Sequence, residues 1–114
     1  MEQHFIYCGT IGAHQIFRND ALRVLQVDER FVKFSQTEYF IIKPLASGEA
    51  LSNQVLIQAV YGSGPISLHE GPFSKHIERL RKKLLPCGLI LHRITRFGYL
   101  LRCAEDEPIP VSAD

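Results

Sequence analysis

The segment from residue 73 to residue 84 is the part of this sequence best suited to binding chemistry. It reads Phe-Ser-Lys-His-Ile-Glu-Arg-Leu-Arg-Lys-Lys-Leu, with apolar residues at successive spacings of four, three and four. Residues at that spacing lie on one face of an α-helix, so most of the cationic side chains lie on the other faces. Residues 94–99, Ile-Thr-Arg-Phe-Gly-Tyr, are typical of a β-hairpin turn. A basic helix beside a basic hairpin is suited to binding a polyanion.

The charge of the chain is segregated along its length. The net charge is +1, but residues 69–103 hold eight Lys and Arg against two acids, and residues 104–114 hold four acids and no base. This division favours a polyanionic partner, with competition from the acidic tail. The alternative is a solvated basic face, whose cations interact favourably with the negative end of the helix dipole.

The sequence lacks the motifs of disulfide-bonded, metal-binding, enzymatic, secreted and membrane-spanning proteins. The three cysteines, at positions 8, 87 and 103, include no Cys-x-x-Cys pair, which argues against a disulfide framework or zinc site and for a reducing cytoplasm. The spacing of His69, Cys87 and His92 fits no familiar metal site. No phosphate-binding loop, nucleophile motif, signal peptide or long apolar run is present. We therefore predict a soluble, cytoplasmic protein that is not an enzyme and uses neither metal nor cofactor.

The first third of the sequence predicts a small antiparallel sheet. Short segments rich in β-branched and aromatic residues alternate with turn residues, and we expect strands at His4–Cys8, Gln15–Arg18, Leu22–Val27 and Phe31–Phe34.

Helices are predicted for the middle of the chain. Residues 35–38 read Ser-Gln-Thr-Glu, a capping box that begins the first helix. Pro44 should bend or end its last turn, and Gly48 is a candidate C′ residue. The second helix should begin after an N-cap at Ser52 and end near Tyr61.

The third helix and a hairpin complete the predicted domain. The helix should open at Gly71-Pro72, span about residues 72–85, and end at Pro86 and Gly88. Strands at Leu89–Thr95 and Tyr99–Cys103 should follow, with Gly98 taking a positive φ in the turn. We predict one α+β domain over residues 1–103 and a disordered acidic tail over residues 104–114.

From about residue 5 to residue 103, the chain resembles the DNA-binding domain of the OmpR/PhoB family of bacterial response regulators. The motifs that carry the resemblance are Ser35-Gln36-Thr37-Glu38-Tyr39, the segment Leu56–Gly62, the segment His76–Leu84 and Gly98-Tyr99. The resemblance implies a winged helix-turn-helix with an N-terminal four-stranded antiparallel sheet, a three-helix bundle and a C-terminal hairpin wing. It also implies double-stranded DNA as the partner, with the third helix in the major groove and the wing, residues 94–99, at the minor groove.

The resemblance also implies roles for individual residues. Tyr61 takes the place of a residue that packs near a phosphate, loop 62–70 would touch RNA polymerase, and Thr95 and Arg96 lie in the wing. The face of the third helix turned to DNA would carry Ser74, Lys75, Glu78, Arg79 and Lys82. Lys83 is a further candidate for phosphate contact. Because one domain touches only a short half-site, we expect two copies on direct repeats.

Several departures from the family pattern keep a second hypothesis open. No receiver domain accompanies the motifs, Gly71-Pro72 replaces a usual Arg-Thr pair, and Glu78 places a negative charge on the reading face. Gly71-Pro72, Glu78 and the acidic tail favour a protein-interaction module that docks another regulator or RNA polymerase, with weak or no DNA binding. Four cations oppose this alternative: Lys75, Lys82, Lys83 and Arg96.

Four side chains of the basic segment have two readings each. Glu78 either accepts a hydrogen bond from cytosine N4 or, more in keeping with its spacing, pairs with Lys82. His76 is better explained as a packed, hydrogen-bonded histidine than as a base reader. Arg81 either faces DNA or pairs with an acid of the domain. Phe97 either stacks on DNA or packs back on the sheet.

Overall fold

The chain begins with a four-stranded antiparallel sheet in the order β1-β2-β3-β4. The computed structural model describes residues 4–62 and 70–104. The four strands are β1 (Ile6–Ile11), β2 (His14–Asn19), β3 (Val24–Val27) and β4 (Arg30–Lys33). The predicted sheet is therefore confirmed, although its strand ends differ by up to three residues.

Local backbone geometry explains two of those differences. The predicted end of the first strand at Cys8 is wrong: Gly9 adopts a φ of 121° within a bulge, and β1 continues to Ile11. β3 begins later than predicted because Arg23 adopts a φ of 57°, and because the Asn19 side chain accepts a hydrogen bond from the Leu22 N–H at 3.0 Å. Residues 19–23 thus form a turn that periodicity alone does not show.

Three helices follow the sheet: α1 (Gln36–Leu45), α2 (Asn53–Tyr61) and α3 (Glu70–Leu84). The predicted caps at Ser35 and Ser52 are both present, and Ser35 forms the full capping box with Glu38. α1 ends one residue after Pro44, so Gly48 lies beyond its C-cap, Ala46. α3 begins at Glu70 instead of Pro72, and the proline lies in the first turn, where its missing N–H has no helical partner to lose.

The C-terminal part of the domain is a three-stranded sheet in the order β5-β7-β6. β6 (Leu89–Ile94) and β7 (Gly98–Cys103) form the predicted hairpin, after a single 3-10 turn at Leu85–Cys87. The sequence analysis missed β5 (Leu51–Ser52), which pairs with β7 just before α2 begins. Two residues are too few to produce a period-two pattern.

The prediction that Gly98 takes a positive φ in the hairpin turn is wrong. The residue with positive φ in the hairpin turn is Arg96, at 62°. Gly98 is required for close approach instead, because a Cβ there would lie 1.8 Å from the Leu51 carbonyl oxygen. Glycine therefore allows the hairpin to pair directly with the segment that precedes α2.

The three helices and the inner faces of both sheets enclose one hydrophobic core. Each helix contributes fully buried side chains, among them Ile41, Leu56 and Leu80, and the sheets contribute Ile16 and Leu101. Among the described residues, no helix has both the length and the apolar character needed to cross a membrane. Residues 63–69 and 105–114 lie outside the described part, so the loop and tail predictions stay predictions.

Replacing Gly98 by alanine should destabilise the domain by about 2 kcal/mol or more, since the added methyl group collides with backbone that cannot move without breaking the β5–β7 pairing. The free energy of unfolding in urea measures this effect. Phe97→Ala, at a half-exposed neighbour, is the control and should cost less than about 1 kcal/mol. Equal costs for the two variants would contradict the close-approach argument.

Candidate nucleic-acid interface

The solvent-facing side of α3 carries a row of polar and cationic side chains. Phe73, Ile77, Leu80 and Leu84 face the core. Five predicted site residues of the helix are exposed: Ser74, Lys75, Glu78, Arg79 and Lys82. His76, Arg81 and Lys83 are half-buried. The amphipathic pattern therefore determines which side of α3 is available to a ligand.

The one carboxylate in this row is partly neutralised from within the helix. A Glu78 carboxylate oxygen lies 2.9 Å from Arg81 Nη1, which makes an i, i+3 ion pair. The predicted pairing with Lys82 is therefore replaced by Arg81, which also donates from Nε to the Leu91 carbonyl oxygen at 3.3 Å. Arg81 links α3 to β6, and Lys82 keeps its charge on the exposed face.

Lys83 is held in an ion pair on a different side of α3. Its Nζ atom lies 2.6 Å from a carboxylate oxygen of Glu38, 3.3 Å from the Lys33 carbonyl oxygen and 5.6 Å from the centre of the Phe34 ring. Glu38 is only 3% exposed. This environment gives Lys83 a role in attaching α3 to α1 and β4, and phosphate contact by Lys83 stays a prediction without a supporting contact.

The Glu38 carboxylate is stabilised in its charged form. Burial alone raises the pKa of this carboxyl, but the hydrogen bond from Lys83 and the N–H of Ser35 outweigh burial and hold the pKa below its usual value. The pair therefore remains ionised at neutral pH and ties the first and third helices together.

The hairpin turn presents its side chains at the far end of the second sheet. Arg96 is exposed and Thr95 is half-buried. Phe97 is 46% exposed, so much of its ring faces solvent, while its carbonyl oxygen accepts the Asn53 N–H at 2.8 Å. This bond ties the turn to the first residue of α2.

A cleft of about 260 Å³ joins α2, α3 and the hairpin. Ser74 lies at this cleft, together with Asn53 from the start of α2, and the Phe73 and Tyr99 rings pack with their centroids 6.2 Å apart. Tyr61, at the end of α2, is half-buried against the core. The structure thus brings Ser74 and the hairpin strands to one cleft.

The sequence analysis missed Arg93, an exposed residue of β6 that lines the same cleft. Arg93 lies directly opposite Tyr99 and, by strand alternation, on the face that carries Leu89 and Leu91. The sequence signal was the alternation Leu89, Leu91, Arg93, in which a cation follows two buried leucines on one face of the strand. A cation at the third position indicates that this face is no longer buried in the core there.

His76 only partly fits its prediction. The side chain is half-buried, as expected for a packed histidine. Its Nδ1 atom is buried without a hydrogen-bond partner among the described residues, so the predicted hydrogen bond is not found at that atom.

Comparison with known proteins identifies the fold. A crystal structure of the DNA-binding domain of the response regulator AdeR, in complex with an intercistronic region, is similar to this chain. The two share 22% sequence identity with a TM-score of 0.61, and the match covers 77% of this chain and 94% of that domain. The likeness confirms the predicted α+β winged-helix fold. No family model matches the sequence, and no curated protein matches it.

Glu38→Gln should lower the free energy of unfolding by about 2 kcal/mol at pH 7, a value below that of a fully buried pair because Lys83 is 39% exposed. Since the folded-state pKa of Glu38 is depressed, the pair stabilises the fold above the unfolded-state pKa of about 4.3 and loses this effect as pH falls through the folded-state value.

Urea unfolding of the wild type and Glu38→Gln at pH 7 and at acid pH measures this effect. The difference between them should shrink below about pH 4. Glu49→Gln, an exposed control, should change stability by less than about 0.5 kcal/mol at both pH values. A difference that does not vary with pH would mean that the Glu38 carboxylate is not the stabilising group.

Proposed function

We propose that this chain binds double-stranded DNA sequence-specifically as a stand-alone transcriptional regulator. In this proposal the recognition helix, about residues 72–85, enters the major groove and the wing, about residues 94–99, lies at the minor groove. The observation that carries it is that α3, which exposes a row of cations, shares a cleft with the hairpin through Ser74, Arg93 and Tyr99. The winged-helix fold, which the AdeR domain uses in its complex with an intercistronic region, supports this reading.

Phosphate neutralisation would set the affinity and the register of the complex. Lys75, Arg79 and Lys82 on α3 and Arg96 in the wing carry exposed positive charges. Each cation that neutralises a phosphate releases a condensed counterion, so the association constant falls as salt rises. Arg93, from the cleft, adds a cation between α3 and the wing.

Base discrimination would come from a smaller set of side chains. We assign it to Ser74, Lys75, Glu78 and Arg79, which occupy the exposed face of the first three turns of α3. Thr95 and Arg96 would contact the minor groove, and Tyr61 would pack near a phosphate. A single helix reads only a few base pairs, so we expect two copies on direct repeats.

The proposed regulator would act in a bacterial cytoplasm and would contact RNA polymerase. A bacterial cytoplasm is the compartment that suits a non-enzymatic DNA-binding regulator whose three cysteines form no disulfide among the described residues. Contact with RNA polymerase would use loop 62–70, and membership in the OmpR/PhoB family stays part of this proposal.

A protein-interaction module that docks another regulator or RNA polymerase is the second candidate function. The observation that favours it is the Glu78–Arg81 pair, which reduces the positive charge of the reading face. A titration of a randomised duplex pool by fluorescence anisotropy, with sequencing of the bound fraction, separates the two candidates. Salt-sensitive binding with an enriched motif supports the regulator, and no binding at low salt supports the interaction module.

Combining Lys75→Gln with Arg96→Asn should weaken binding to all duplexes and reduce the slope of log K against log salt by about 2, since each lost phosphate contact contributes about 0.9. Asparagine is chosen for position 96 because it tolerates the positive φ that Arg96 adopts. The anisotropy titration, repeated at several salt concentrations, measures this slope.

The matched control is Lys33→Gln combined with Arg30→Asn, which removes the same two charge types from exposed positions of β4. The control should leave the slope within about 0.5 of the wild-type value. If both double variants change the slope equally, the DNA-binding face has been assigned wrongly.

Glu78→Gln should raise affinity for every duplex, because the Glu78 charge repels phosphate. It should also change the enriched motif at a single base pair, because Glu78 belongs to the proposed base-reading set. Sequencing of the bound pool for the wild type and the variant measures both quantities. Higher affinity with an unchanged motif would remove Glu78 from that set and leave it only as the partner of Arg81 within the helix.

A further inference from the structure

An apolar groove lies beside the C-terminal half of α3 and borders the face assigned to DNA reading. Its volume is about 320 Å³, and its apolar lining includes Leu85, Leu89 and Ile90. Leu85 is 63% exposed, so the groove presents apolar surface to solvent. Glu78, Arg81 and Lys82 line the α3 side of the groove. Because Glu78 pairs with Arg81, this polar wall carries one net positive charge beside the apolar floor.

The second wall of the groove is a sheet edge. β6 is the outermost strand of the β5-β7-β6 sheet, and the Leu91 carbonyl oxygen on it accepts a hydrogen bond from Arg81. An edge strand beside an exposed apolar surface is a place where an extended segment of chain can bind.

The path of the main chain brings one such segment to the groove. The Ala104 N–H donates to the Gly88 carbonyl oxygen at 2.8 Å, and Cys103 lies opposite Leu89. Ala104, the last described residue, therefore lies next to the end of the groove formed by Leu85 and Leu89. Ten residues span up to about 33 Å when extended, several times the length of one side chain.

The chemistry of that segment complements the groove. Glu105, Asp106 and Glu107 come first, and Ile109 and Val111 follow, alternating with two prolines. Carboxylates suit the wall at Lys82, since Arg81 already pairs with Glu78, and the two β-branched side chains suit the leucine and isoleucine floor. Proline restricts φ to values found in extended backbone, which lowers the entropic cost of ordering the segment in a groove.

We propose that residues 105–114 dock in this groove, with Ile109 and Val111 covering Leu85, Leu89 and Ile90 and the acidic residues facing Lys82. Lys82 then belongs to two surfaces, since it also stands on the exposed row of α3. Docking of the tail and binding of DNA compete for this side chain and for the space beside it. The competition rests on the proposed DNA-binding function, whereas the docking itself does not.

The first experiment tests docking without DNA. Backbone amide NMR shifts of the full chain are compared with those of Ile109→Ser combined with Val111→Ser. The expected result is a change at Leu85, Leu89 and Ile90, with no change on β1 or β2. Ile109→Val combined with Val111→Ile keeps the apolar volume and should leave the groove amides unchanged. If the serine substitutions leave the amide shifts of the groove unchanged, the proposal is overturned and the tail is not the occupant of the groove.

A substitution in the groove tests the same contact from the other side. Leu85→Ser should shift amides of residues 105–114, while Phe31→Ser, at a residue of matching 62% exposure on β4, should not. Both positions are exposed, so neither change is expected to unfold the domain. Tail amides that respond to neither variant, or equally to both, overturn the docking.

The second experiment tests competition with DNA. The serine double variant in the tail should bind duplex DNA about threefold more tightly than the wild type at low salt, because it frees the population held in the docked form. Unchanged affinity, with groove amides that do shift, overturns the competition and leaves the docking intact. If no variant binds duplex DNA, the proposed function is overturned. The NMR comparison still tests the docking, because it does not depend on DNA.

Discussion

The ion pair between Glu38 and Lys83 is the constraint on which the orientation of α3 depends. Glu38 is buried, caps α1 through the Ser35 N–H and receives the Lys83 ammonium at 2.6 Å. The same ammonium contacts the Lys33 carbonyl oxygen at the end of β4. One buried carboxylate thus joins the first sheet, the first helix and the third. Because its removal leaves a cation without its partner, this joint is specific to one arrangement of the three elements.

A second joint orients the first helix against the sheet. Asp20, in the turn after β2, accepts the Tyr39 hydroxyl at 2.5 Å and Arg18 at 2.8 Å, and lies 3.4 Å from Lys43. Burial and the neighbouring Asp20 carboxylate raise the pKa of Tyr39, so its hydroxyl stays protonated and donates. The Glu38 network attaches α3 directly to α1 and to the end of β4, and the Asp20 network attaches α1 to the turn after β2.

The position of the wing follows from a backbone contact and not from side-chain chemistry. Gly98 pairs with Ser52 and approaches Leu51 so closely that no Cβ fits, and the Phe97 carbonyl oxygen accepts the first N–H of α2. The hairpin is therefore attached to the start of α2, which sets its distance from α3. With α3 attached through Glu38 and the wing through Gly98, the two elements border one cleft, which Ser74 lines from α3 and Arg93 lines from the hairpin.

Local patterns in the sequence determined the elements and the exposed face of α3. Capping boxes, apolar spacing and turn residues act within a few residues of each other, so Ser35, Ser52 and the Phe73–Leu84 stripe could be interpreted without tertiary information. Contacts between distant segments were decided by the tertiary structure alone. Lys83 looked equivalent to Lys82 because both are cations of one helix, and only packing against α1 separated them. Gly98 looked like a turn glycine because its steric requirement comes from Leu51, 47 residues earlier in the sequence. Pairings across such separations have no periodic signature, and they decide which cations remain available to a ligand.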